Sequence, residues 1–137
     1  MELIPRSSGT RIAYERRGFV GVARKFADGP NADFFAPAVE NLEKLLVPSI
    51  SLLEVFKRVV QQRGETEALK SVAQMRQGRV IDLDGTLALS AARVSLDLKL
   101  PLADSVILAT ARAHGATVWT QDSDFKGIEG VKYVARR

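Results

Sequence analysis

The chain has no cysteine and a single histidine, His114, among its 137 residues. The first absence excludes thiol catalysis, cysteine-based zinc sites and disulfides, and suits a reducing compartment, with the cytoplasm as the default expectation. The second argues against a histidine-rich zinc site and against a Ser-His-Asp triad. No apolar run approaches the ~20 residues of a membrane span, and the N-terminus lacks a signal-peptide core. Internal repeats and low-complexity tracts are missing as well. With 46% hydrophobic and 26% charged residues, the composition predicts one ordinary globular domain with a real core. If the chain is an enzyme, carboxylates carry its chemistry.

An excess of one charge is also missing from most of the chain. The net charge of +4 would ordinarily invite a nucleic-acid reading. Residues 1–26, however, hold six basic side chains (Arg6, Arg11, Arg16, Arg17, Arg24, Lys25) against Glu2 and Glu15, which accounts for the whole excess. The rest of the chain is balanced, and Lys57, Arg58, Arg63 and Lys70 read as solvated helix positions or at most a local basic patch.

What is present is a rhythm of helices and short apolar strands. Asp28-Gly29-Pro30-Asn31 signals a turn, and an amphipathic helix is expected from about Ala32 to Leu45. Leu46 to Ile50 reads as a buried strand, followed by a helix that stops at Gly64 and a second from about Glu65 to Gln77. Arg79 to Leu83 is a strand candidate, Gly85 or Thr86 to Leu98 a helix, and Leu100 to His114 another that ends at Gly115, a good C′ glycine. Ala116 to Thr120 and Val131 to Val134 complete the strands. This alternation predicts an α/β sandwich with a mainly parallel sheet.

Four acids stand at the ends of these elements: Glu54, Asp104, Asp122 and Asp124. Singly, each has an ordinary structural role. Ser51-Leu52-Leu53-Glu54 has capping-box spacing, Asp104 suits the positive end of a helix, and Asp122 and Asp124 occupy a turn. Together they fall at the carboxyl ends of strands or at helix N-termini, where open α/β sheets gather ligands. Like charges brought together there call for a cation, and oxygen-only donors favour Mg²⁺ or Mn²⁺. Such an ion activates water and stabilises charge on a phosphate, which points to phosphodiester hydrolysis. Trp119 and Phe125 could stack on bases, but their positions suit the core better.

The order of an apolar strand with Ser51 and Glu54, then Leu-Pro-Leu-Ala-Asp104-Ser-x-Ile-x-Ala-Thr-Ala, then Gly-Ala-Thr-Val-Trp-Thr-Gln-Asp122-Ser-Asp124-Phe, resembles the PIN-domain ribonucleases, in particular VapC-type toxins of toxin–antitoxin pairs. The resemblance covers about Phe26 to Arg137. It implies a PIN-like three-layer sandwich, with a short, mainly parallel sheet flanked by helices. It implies a metal-dependent endoribonuclease, with Glu54, Asp104 and Asp122 as catalytic, metal-binding acids and Asp124 as a secondary ligand or loop cap. Thr120 would orient a carboxylate or a bound water. It also implies Mg²⁺ or Mn²⁺ as cofactor, an RNA substrate, a VapB-type antitoxin and a homodimer.

One family feature is absent. Members resembling this chain begin with a strand that ends in an aspartate, a central metal ligand, whereas no aspartate precedes Asp28 here, and Asp28 sits in a turn. Back-translated with suitable codons and read one base later, residues 13–24 with the first base of the Lys25 codon give His-Met-Ser-Val-Val-Asp-Ser-Ser-Gly-Trp-Leu-Glu, which restores a start, a strand and the aspartate. Residues 1–25 are therefore read as an atypical, out-of-frame front, and residues 26–137 as the PIN-like domain. The alternatives are a divergent front in which Gly18 to Ala23 forms a substitute strand, and a catalytically impaired scaffold that only binds antitoxin or RNA. A remoter alternative is a haloacid-dehalogenase-type phosphatase, since Asp82-Leu83-Asp84-Gly85-Thr86 matches that nucleophile loop. The ordinary role of that segment is a strand end, a turn and an N-cap at Asp84.

Overall fold

The computed structural model describes residues 10–14, 33–34 and 42–135. The expectations for Asp28, for Gly18 to Ala23 and for most of the helix at 32–45 lie outside these residues. So does most of the front segment, residues 1–25, although four of its residues form a strand.

That strand, β1 (Arg11–Tyr14), is followed by β2 (Leu46–Pro48), α1 (Ser49–Arg63), α2 (Glu65–Met75), β3 (Arg79–Ile81), α3 (Gly85–Leu98), α4 (Leu102–Ala113), β4 (Thr117–Thr120) and β5 (Val131–Tyr133). Every strand pairing is parallel: β1 with β4, β4 with β5, and β2 with β3. A parallel bridge from Arg11 to Leu45 sets the two groups side by side, giving the order β3-β2-β1-β4-β5 with β1 at the centre.

Alternation along the strands builds two cores, because successive side chains point to opposite faces. Ile12 and Tyr14 of β1, Leu46 of β2 and Val118 of β4 face α3 and α4, where they pack with Leu87, Ala91, Val94, Ile107 and Leu108. Ala13, Val47 and Trp119 face the other side and meet Val55 and Val59 of α1 and Ala68 and Met75 of α2. The result is the expected three-layer α/β sandwich, with a parallel sheet between two helix pairs. Trp119 is a core residue, tilted against Phe34 and flanked by Arg11 and Lys132.

Two local differences from expectation have clear causes. α1 begins at Ser49, two residues before the predicted start, because Pro48 already supplies helix-compatible φ at the boundary (φ −59°). Ser51 is therefore inside the helix and buried, and no capping box with Glu54 forms. In α4 the first helical residue is Leu102, with Pro101 extended at the N-cap position (ψ 157°). The Gly115 stop is as expected, with φ +62°.

Gly78 shows how tightly β2 and β3 are brought together. A Cβ there would lie 2.9 Å from the Leu45 carbonyl oxygen and 3.1 Å from Val47 Cγ2. The same carbonyl accepts the Arg79 N–H at 2.9 Å, so it cannot retreat without breaking the entry to the β2–β3 pair. Gly78→Ala is expected to destabilise the fold by about 1–3 kcal/mol, as overpacking does. Chemical denaturation checks this, and an unchanged midpoint would show that β3 can shift freely.

Candidate active site

The carboxyl edge of the sheet collects the acids because every strand runs the same way. β2 leads directly into α1, which carries Glu54 in its second turn and leaves that side chain half-buried. Asp104 lies in the first turn of α4, where the helix dipole favours negative charge. It is fully buried, as is Ser105 beside it, whose hydroxyl donates to the Pro101 carbonyl at 2.9 Å and steadies that turn. Asp122 follows the end of β4 and is 4% exposed. Its N–H donates to Thr120 Oγ1 at 3.1 Å, and its carbonyl accepts from the Phe125 N–H at 3.0 Å. Thr120 thus holds the backbone that presents Asp122. Asp124, in the short 3₁₀ turn Ser123–Phe125, is exposed.

What joins the three inner acids is a residue the sequence analysis did not single out. Tyr14, the last residue of β1, pairs in register with Thr120. Its hydroxyl donates to Asp104 Oδ1 at 2.9 Å, within the interior. Its ring meets Phe125 edge-on, with centroids 5.8 Å apart. Burial raises the tyrosine pKa well above its ordinary value, and the charges of Glu54 and Asp104, the hydrogen bond to Asp104 and the charge of Asp122 raise it further. Three acids from three elements therefore act on one phenol. The signal for Tyr14 was present as a two-residue alternation, Ile12 and Tyr14 inward with Ala13 opposite, but it spans only four residues in a segment of unusual charge.

The donor chemistry of Glu54, Asp104 and Asp122 is that of a hard divalent cation, being oxygen only. Their placement is not. Among the described residues, no three histidine, cysteine, aspartate or glutamate side chains stand close enough to hold a metal ion. With the Tyr14 hydroxyl engaged on Asp104 Oδ1, the described residues by themselves make an incomplete metal site.

The second acidic pair lies elsewhere. Asp84 caps α3, accepting the Leu87 N–H at 2.8 Å. Asp82 and Asp84 line a shallow pocket with Thr86 and His114. His114 is at the opposite end of α4 from Asp104, roughly 15 Å along the axis at 1.5 Å per residue. The Asp82–Thr86 segment is thus a strand end, turn and cap on its own, away from the Tyr14 cluster.

The family model described as the PIN domain matches residues 22–131. A solved toxin–antitoxin complex from Klebsiella pneumoniae is similar, with 21% identity and a TM-score of 0.68 over 90% of this chain and 96% of that one. DNA-bound VapBC from Salmonella typhimurium is similar at 17% identity and a TM-score of 0.66, over 92% and 98%. VapBC2 from Rickettsia felis, bound to a promoter DNA fragment, gives 14% identity and a TM-score of 0.63, over 92% and 98%. No curated protein matches by sequence.

Because the folded-state pKa of Tyr14 is raised above the unfolded value of about 10, its contribution to stability is complete below that pH and is lost as pH rises beyond it. Tyr14→Phe is expected to cost about 1–3 kcal/mol near neutral pH, the usual loss for a buried donor to a carboxylate. Above about pH 10 the gap between the two proteins should narrow. Denaturation midpoints of both proteins across this range provide the check, and a constant gap would contradict the assignment.

Proposed function

Given that this chain belongs to the PIN domain family, we propose that it is the toxin partner of a VapBC-type pair, an endoribonuclease by lineage that acts on RNA phosphodiester bonds through Glu54, Asp104 and Asp122. The observation that carries this reading is the placement of those acids at one edge of the sheet, delivered by α1, α4 and the end of β4, with the Tyr14 hydroxyl on Asp104. Charges gathered at the carboxyl edge of a parallel sheet are a costly arrangement that packing alone does not require. The likeness to toxin–antitoxin complexes supports a VapB-type antitoxin as partner, and the family resemblance implies a homodimer. Among the described residues no helix is long and apolar enough to cross a membrane.

Hydrolysis in this scheme belongs with Mg²⁺ or Mn²⁺, which would supply Lewis-acid stabilisation of charge on the phosphate. Among the described residues these acids do not by themselves form a metal-sized cluster. The chain's own residues do other work. Thr120 fixes the Asp122 backbone, and the first turn of α4 fixes Asp104. The bond from Tyr14 to Asp104 favours a second reading, in which the chain binds antitoxin or RNA while cleaving weakly or not at all.

Cleavage of labelled RNA with Mg²⁺ or Mn²⁺ separates the two. A working nuclease loses roughly 100-fold or more in rate with Glu54→Gln or Asp104→Asn, in line with the penalty for misplacing a reacting group. Cleavage that survives both substitutions would rule out this site. Antitoxin binding without cleavage in any of the three proteins selects the binding-only reading.

A further inference from the structure

Tyr14 ends the central strand, and its side chain has little room to leave. Ile12 and Tyr14 are 1% and 2% exposed, and Phe125, against which the Tyr14 ring packs, is fully buried. The hydroxyl is held at 2.9 Å from Asp104 Oδ1. Swinging the ring out would open the core between the sheet and α4 and strip a donor from a fully buried carboxylate. This tyrosine is therefore a fixed part of the acidic site and not a passing occupant.

Its chemistry opposes that of a cation ligand. A protonated phenol offers a hydrogen to a carboxylate and adds no negative charge. A divalent cation needs oxygen lone pairs turned toward it and gains affinity with the number of charged ligands. The Tyr14 hydroxyl already occupies Asp104 Oδ1, so a cation using that oxygen would have to displace it. The result is an all-oxygen donor set at one edge of the sheet that forms no metal-sized cluster among the described residues.

We propose that Tyr14 holds this site in a metal-poor state: its hydroxyl, at the end of the central strand, engages Asp104 Oδ1 in competition with a divalent cation. The inference rests on reading those acids as functional, and it names the residue that limits them. Tyr14 is a positioning residue. It sets what Asp104 is available to do without itself meeting a substrate.

Calorimetric titration of the full chain with MnCl₂ tests this, with circular dichroism confirming that each variant is folded. Tyr14→Asp, which replaces the competing donor by a charged acceptor, is expected to bind Mn²⁺ roughly tenfold or more tightly than the wild type, since affinity follows ligand charge. Adding Asp104→Asn to Tyr14→Asp should remove the gain. If Tyr14→Asp does not fold, Tyr14→Asn decides: tighter binding than the wild type supports the role of Tyr14, and no gain overturns it. Wild-type affinity equal to that of folded Tyr14→Asp also overturns it.

RNA cleavage by the same proteins keeps the two claims apart. Tight Mn²⁺ binding by Tyr14→Asp without cleavage supports the role of Tyr14 and removes the nuclease reading. Wild-type cleavage as fast as that of Tyr14→Asp at equal Mn²⁺ supports the nuclease reading and overturns the role of Tyr14.

Discussion

The hydrogen bond from Tyr14 to Asp104 ties the centre of the sheet to the first turn of α4, and the site is arranged around it. A fully buried carboxylate is costly unless its charge is met by donors, and here one donor is a phenol anchored in the core. The bond spans 90 residues of sequence and joins the strand layer to the helix layer. Its geometry depends on the parallel register of β1 with β4, which sets Tyr14 beside Thr120 and therefore close to Asp122. A one-residue slip would turn Tyr14 to the opposite face, since strand side chains alternate.

That register is itself a product of burial on both sides. Ile12 and Tyr14 enter one core and Ala13 the other, while Trp119 and Val118 divide in the same way on β4. Strands buried on both faces lose the clean polar alternation of a surface sheet. Leu46 to Pro48 and Thr117 to Thr120 were therefore legible as short apolar runs between helices, and their neighbours in order predicted the sandwich. α3 and α4 were the most readable elements. Each carries a long helical stripe, with an N-cap at Asp84 and a C′ glycine at Gly115 marking one end of each.

The acids were readable for a different reason. Glu54, Asp104 and Asp122 each follow a recognisable local boundary, a strand end or a helix start, and α/β topology brings such boundaries to one edge. Nearness to the end of the strand favoured Asp122 over Asp124 in the sequence, although both occupy the same turn. Burial separates them, with Asp122 inside and Asp124 exposed. Tyr14 was hidden because four residues carry too little periodicity to outweigh the arginine-rich sequence around them. The capping-box spacing at Ser51 and Glu54 misled in the opposite sense: it matched a local rule that Pro48 had already made unnecessary by starting the helix earlier.

The consequence for the site follows from a conflict between stability and charge. Acids concentrated at one point repel, and a fold can answer that repulsion with a cation or with a neutral donor. A cation leaves the site ready for chemistry on phosphates but ties folding to metal supply. A neutral donor such as Tyr14 stabilises the apo fold by itself, at every pH where the phenol keeps its proton, and burial together with the surrounding acids extends that range upward. The stronger the acids act on Tyr14, the more firmly it stays a donor, and the less of Asp104 is left for a metal. Stability without the ion and affinity for the ion are thus opposed at a single residue, and in this chain the side chain at position 14 favours the first.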